Sequence, residues 1–114
     1  MRGLLIGAIL GLAAGNPAVA QTKRIYSGEA AAALRCSNTL ALTAVALSRA
    51  GKISDLEKSV MLGITIRILE RHVDGTWNQK KRALKVMRDR RTVPDTLADY
   101  RKNAARCLRQ FPIN

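Results

Sequence analysis

Apolar positions along this chain recur at steps of three and four rather than alternating, a pattern that predicts helices throughout and no sheet. The first apolar run, Leu4 to Ala14, is of a different kind. It follows a single basic residue, Arg2, and ends in the break Gly15-Asn16-Pro17 and the small-residue tripeptide Ala18-Val19-Ala20. At about 11 residues it falls short of the roughly 20 needed to cross a bilayer, so it predicts a signal peptide over residues 1–20, cleaved before Gln21. Residues 21–26 are expected as a flexible N-terminus and residues 27–114 as a single helical domain.

Four helices are expected in that domain. The first has Ser27 as N-cap and Glu29 in its first turn, and runs to Arg49 with Gly51 as the stop; Ala33, Cys36, Leu40, Ala44 and Leu47 form its buried stripe. The second opens on the capping box Ser54-Asp55-Leu56-Glu57 and ends near His72, before the turn signal Asp74-Gly75. It carries Leu56, Val60, Met61, Leu62, Ile64, Ile66, Ile68 and Leu69 over most of its circumference. That makes it the expected central, most buried helix, with Gly63 as its point of closest contact. The third starts at a second capping pattern, Thr76-Trp77-Asn78-Gln79, and continues to about Arg91 with few apolar positions, chiefly Trp77, Leu84 and Met87. In the fourth, Pro94 suits the first turn, Asp95 and Asp99 lie toward the positive end, and Leu97, Tyr100, Ala104, Cys107, Leu108 and Phe111 make an amphipathic face.

Short connections make consecutive helices antiparallel neighbours, so the expected fold is all-α, a small four-helix up-down-up-down bundle. Only two cysteines are present, Cys36 and Cys107, both beyond the export signal, and in an oxidising compartment they are expected to pair. In the up-down-up-down path they fall at the same end of the bundle, so the helix order and the thiol count agree independently. Neither cysteine belongs to a Cys-x-x-Cys or Cys-x-x-Cys-His motif, which argues against a metal, a redox pair or a haem.

Charge adds a possible partner. The 114-residue chain carries 20 Lys and Arg against 8 Asp and Glu, a net charge of +12, of which loss of Arg2 would remove one. Such an excess attracts polyanions over a distance set by salt. The densest part is Lys80, Lys81, Arg82, Lys85, Arg88, Arg90 and Arg91, interrupted by the single acid Asp89. Lys81, Lys85 and Arg88 share one stripe of the third helix, a strip suited to phosphates, carboxylates or lipid head groups; a purely solvated face is the alternative. Nucleic acid is a less suitable partner because Trp77 is the sole aromatic near these cations.

The only His and only Trp lie close together in Glu70–Trp77, so His72, Asp74 and Trp77 form a possible corner site. No nucleophile stands beside them at a recognisable spacing, and the ligands are too few for zinc. The competing expectation is a structural corner, with Trp77 packed on the bundle end and His72 facing the dipole of its own helix. Gly-rich phosphate loops and paired catalytic carboxylates are absent from the sequence.

In export signal, size and cysteine pair the chain is similar to small exported helical proteins with one long-range disulfide, a class that includes acid-stress chaperones. The likeness carries over no functional residue, and the basic balance fits an acid-triggered opening poorly, since acidification would mainly add to existing repulsion. The leading expectation is therefore a periplasmic or secreted, non-enzymatic protein without a cofactor. Its partner would be an acidic protein or an anionic envelope surface, bound through the third helix. A periplasmic chaperone or assembly adaptor is second, and an enzyme centred on His72 third.

Overall fold

The computed structural model describes residues 24–114, so the expected signal peptide and the first residues of the N-terminus lie outside it. Four helices follow in order: α1 (Gly28–Arg49), α2 (Asp55–His72), α3 (Trp77–Asp89) and α4 (Val93–Gln110). No strand occurs among the described residues.

The helix ends follow local chemistry closely. α1 stops in a Schellman turn, where the Gly51 N–H reaches the Ser48 carbonyl and the Lys52 N–H reaches that of Leu47, at 3.0 and 2.8 Å. Gly51 has φ +71, a conformation that disfavours any side chain. Both expected capping boxes are formed. Ser54 and Glu57 exchange hydrogen bonds at 2.8 and 3.1 Å, as Thr76 and Gln79 do at 2.9 and 3.1 Å. The backbone N–H and hydroxyl of Ser54 hold the Glu57 carboxyl below its ordinary range. Ser27 occupies the N-cap position of α1 without a side-chain bond, whereas Thr92 caps α4 by accepting from the Asp95 N–H at 3.1 Å. α3 ends at Asp89, slightly earlier than expected.

Side-chain pairs establish the helix directions. Glu29 meets Gln110, Cys36 is bonded to Cys107, and Thr39 meets Asp99, so α4 runs opposite to α1. Tyr26, just before α1, reaches the Asp74 carbonyl just after α2, which makes α2 antiparallel to α1 as well. On α3, Gln79 and Met87 share a groove with Ala31 and Leu34, while Arg91 reaches Thr39, so α3 runs parallel to α1. This is the up-down-up-down bundle. Cys36 and Cys107 form its disulfide with a Cα–Cα separation of 5.7 Å, within the normal range.

The arrangement around the core corrects one expectation. α1, not α2, is the central helix: it packs against each of the other three. Ala33, Leu34, Cys36, Leu40 and Ala44 are buried on it, together with Ser37, Asn38, Thr39 and Thr43 at other angles. α2 buries only Thr65, Ile68 and Leu69, and leaves Leu56 and Val60 at 74 and 54% exposure. Gly63 is likewise no contact point, because a Cβ there would meet nothing within 4 Å. The physical reason lies in α1 itself. From Cys36 to Ser48 it carries no charged residue, so every face of that stretch can be enclosed, whereas Lys58, Arg67 and Glu70 keep parts of α2 in water. α1 is also long and apolar enough to cross a membrane by composition, with mean hydropathy 1.4 over 18 residues, half of them buried by its neighbours.

Candidate anion-binding surface

α3 is held against the bundle by a narrow apolar stripe, Ala83, Leu84 and Met87, which packs on the core formed by α1, Ile68, Leu69, Val73 and Phe111. Most of the remaining positions on α3 are polar or charged. The seven cations expected to act together are nonetheless divided by the structure into three groups.

Lys80 is buried and leaves the exposed strip. Its ammonium donates to the Leu69 carbonyl at 3.0 Å, near the C-terminus of α2, where a cation also meets the negative end of the helix dipole. Arg91 is also largely enclosed, and its guanidinium spans Thr39 Oγ1 at 3.2 Å and Asp99 at 3.1 Å. These two cations stabilise the fold. Lys81, Arg82, Lys85, Arg88 and Arg90 remain exposed. Arg88 contacts its neighbour Asp89 at 3.3 Å with both side chains more than half in solvent, a pairing of small energetic value. Lys81, Arg82, Lys85 and Arg90 have no ion pair among the described residues. The stripe expected from helical spacing, Lys81, Lys85 and Arg88, therefore faces solvent intact.

Asp99 is the residue whose importance the linear reading missed. It sits on α4 with its side chain only 9% exposed and accepts from Arg35 Nε at 3.3 Å, Thr39 Oγ1 at 3.0 Å, Arg91 and Asn103. Burial alone would raise its pKa, but the hydrogen bonds from Asn103, Arg35, Thr39 and Arg91 outweigh it and hold the carboxyl far below the ordinary range. The single carboxylate thus joins α1, α4 and the turn between α3 and α4. The only sequence signal was one of two acids in a basic helix, with no indication of partners 60 positions earlier.

The expected corner site is not assembled as one site. His72 Nε2 lies 2.7 Å from the Pro112 carbonyl; because a carbonyl only accepts, Nε2 carries the proton. The ring also packs edge-on to Phe111 at a centroid distance of 5.3 Å. Asp74 instead pairs with Arg24, and its carbonyl accepts from Tyr26 Oη at 2.7 Å. Trp77 does not pack on the bundle end as expected: it is 44% exposed. His72 therefore fastens the C-terminal segment and Asp74 fastens Arg24 and Tyr26, so these residues of the expected flexible N-terminus are tied down. Among the described residues no three His, Cys, Asp or Glu side chains converge to hold a metal ion.

Two depressions flank α1. One, of about 210 Å³, lies over the disulfide and Asp99 and is lined by Arg35, Asn103, Arg106 and Gln110. The larger, of about 550 Å³, runs between α1, α3 and the Arg24–Tyr26 segment. Its lining combines apolar side chains from all three with Arg24, Arg82, Arg90 and Arg91. No protein-family model, curated protein or solved structure matches this chain.

Proposed function

We propose that the protein is an exported, non-enzymatic binding module whose α3 engages an anionic envelope surface or an acidic protein. The observation that carries this reading is the Lys81–Lys85–Arg88 stripe. It stays in solvent on a rigid helix while Lys80 and Arg91, its neighbours in sequence, are used internally. Exposed cations fixed at helical spacing, of which only Arg88 has an ion pair among the described residues, a solvated one with Asp89, present a multivalent charge without paying for its assembly on contact. The long-range disulfide supports an oxidising, periplasmic or extracellular setting. Separate structural duties for His72 and Asp74 favour binding over catalysis.

The test is retention of the oxidised protein on its native envelope fraction, washed at rising salt, with proteins and lipids both analysed. Binding is expected to fall steeply with salt. The triple reversal Lys81→Glu, Lys85→Glu and Arg88→Glu should abolish retention while the helical circular dichroism stays unchanged. Full retention by that variant removes α3 from the account.

One observation favours a second reading, a chaperone or assembly adaptor. Leu56, Val60 and Ile66 expose apolar surface on α2, of the kind that clients of a chaperone could contact. Suppression of client aggregation that disappears in Leu56→Lys/Val60→Lys, yet survives the α3 reversal, would identify that role.

A further inference from the structure

The groove between α1, α3 and the N-terminal segment lies on a different flank of α3 from the Lys81–Lys85–Arg88 stripe and has a different character. Its floor is apolar, made by Leu34 of α1 and by Ala83 and Met87 of α3. Along its α3 edge Arg82, Val86 and Arg90 follow one another at intervals of four, so they form one row with an apolar residue between two guanidinium groups. With 1.5 Å of rise per residue, the two arginines stand about 12 Å apart along the helix. Both are exposed and neither has an ion pair among the described residues. Of the other two arginines on the lining, Arg24 is held by Asp74 and Arg91 by Asp99, so they shape the wall while each already contacts a carboxylate.

We propose that this groove binds a single-chain anionic amphiphile, its alkyl chain on the Leu34–Ala83–Met87 floor and its phosphate or carboxylate head at Arg82 and Arg90. Volume and composition both fit. About 550 Å³ lies within the range of roughly 300–1,000 Å³ typical of small-molecule sites, and such sites combine an apolar lining with a few placed polar groups. A neutral apolar ligand would leave two arginines beside it without a counter-charge. A small hydrophilic anion would leave the floor unused. An amphiphilic anion satisfies both features at once, since a guanidinium fork suits phosphate and carboxylate oxygens equally. The site goes beyond the α3 surface binding proposed above, because it needs neither Lys81, Lys85 nor Arg88.

The experiment is titration calorimetry of the oxidised protein with dodecyl phosphate below its micelle concentration. Dodecyl maltoside and inorganic phosphate serve as the two half-ligands. One-to-one binding of dodecyl phosphate is expected, with both half-ligands at least about tenfold weaker. Arg82→Glu/Arg90→Glu should weaken binding by about tenfold or more. Val86→Glu should do the same: it lies on the exposed rim, places a carboxylate one turn from each arginine, and leaves the core untouched. The Lys81→Glu/Lys85→Glu/Arg88→Glu variant should bind dodecyl phosphate as the parent does, which separates failure of this site from failure of the envelope-binding reading. Equal affinity for dodecyl maltoside would overturn the role of the arginines, and equal affinity for phosphate that of the floor. Binding undiminished in both rim variants would place the amphiphile elsewhere and so overturn the proposal.

Discussion

Asp99 shows how one side chain can matter more than a run of seven. An acid enclosed by α1, α4 and the turn between α3 and α4 is costly unless its oxygens are satisfied, and here two guanidinium groups, a hydroxyl and an amide satisfy them. Its folded-state pKa lies below the unfolded value of about 3.9, so its contribution to stability is complete above that value and is lost as pH falls below it. Asp99→Asn removes the charge and strands Arg91, which is itself only 17% exposed. We expect Asp99→Asn to lower unfolding stability by about 2–3 kcal/mol at pH 7, after allowance for the exposed Arg35 partner. The difference from the parent should shrink between about pH 4 and pH 2. Urea midpoints across that range test it; a difference that is constant with pH would remove the carboxylate's charge from the explanation. At the same scale Ser37 Oγ, Asn38 Nδ2 and Thr43 Oγ1 are buried on α1 without a hydrogen-bond partner among the described residues.

Among the elements, the contrast between α1 and α2 is the most instructive. Both are rich in apolar residues, and counting the large aliphatic side chains favours α2, yet α1 lies at the centre. The legible signal was the length of the uncharged run rather than the number of large aliphatic side chains. The alanines of α1 also let other helices approach from several sides, as Ala33 and Ala44 do at zero exposure. The consequence is measurable by substitution along α2. Ile68→Ala should cost about 3 kcal/mol, because Ile68 is fully buried, whereas Leu56→Ser and Val60→Ser should each change stability by less than about 0.5 kcal/mol. Denaturant unfolding of the three variants decides the matter. A large loss at Leu56 or Val60 would mean that the outer face of α2 is covered in solution.

For the whole molecule, the disulfide is the connection that spans most of the chain. It joins residues 71 apart and thereby fastens the last helix to the central one. Closing so long a loop restricts the unfolded chain by roughly 4 kcal/mol in the chain-entropy account, a large share of the about 5–15 kcal/mol typical of a domain. Cys36→Ser/Cys107→Ser is therefore expected to lower the thermal midpoint by well over 10 °C, at about 4–8 °C per kcal/mol for a domain of this size. Calorimetry of the oxidised parent against that pair is the measurement; a midpoint shift of only a few degrees would show that α4 is held mainly by Phe111 and Asp99. The high positive charge makes this connection more important, since self-repulsion at a net +12 opposes compaction.

Taken alone, the chain determined its helices, most of their ends, their up-down-up-down order and its disulfide. Each of these rests on information that is local or exhaustive: a capping box involves residues three apart, Gly51 meets a conformational demand at one position, and two thiols allow one pairing. Only the tertiary structure decided which helix is enclosed, which cations are withdrawn from the surface, and that Asp99 joins α1, α4 and the turn between α3 and α4. It also brought Leu34 beside Ala83 and Met87 under a row of arginines. Helical periodicity tells which side of one helix prefers to be dry, but several sides here qualified. The partner of a buried charge is chosen by packing between helices distant in sequence, which a pattern along the chain does not encode.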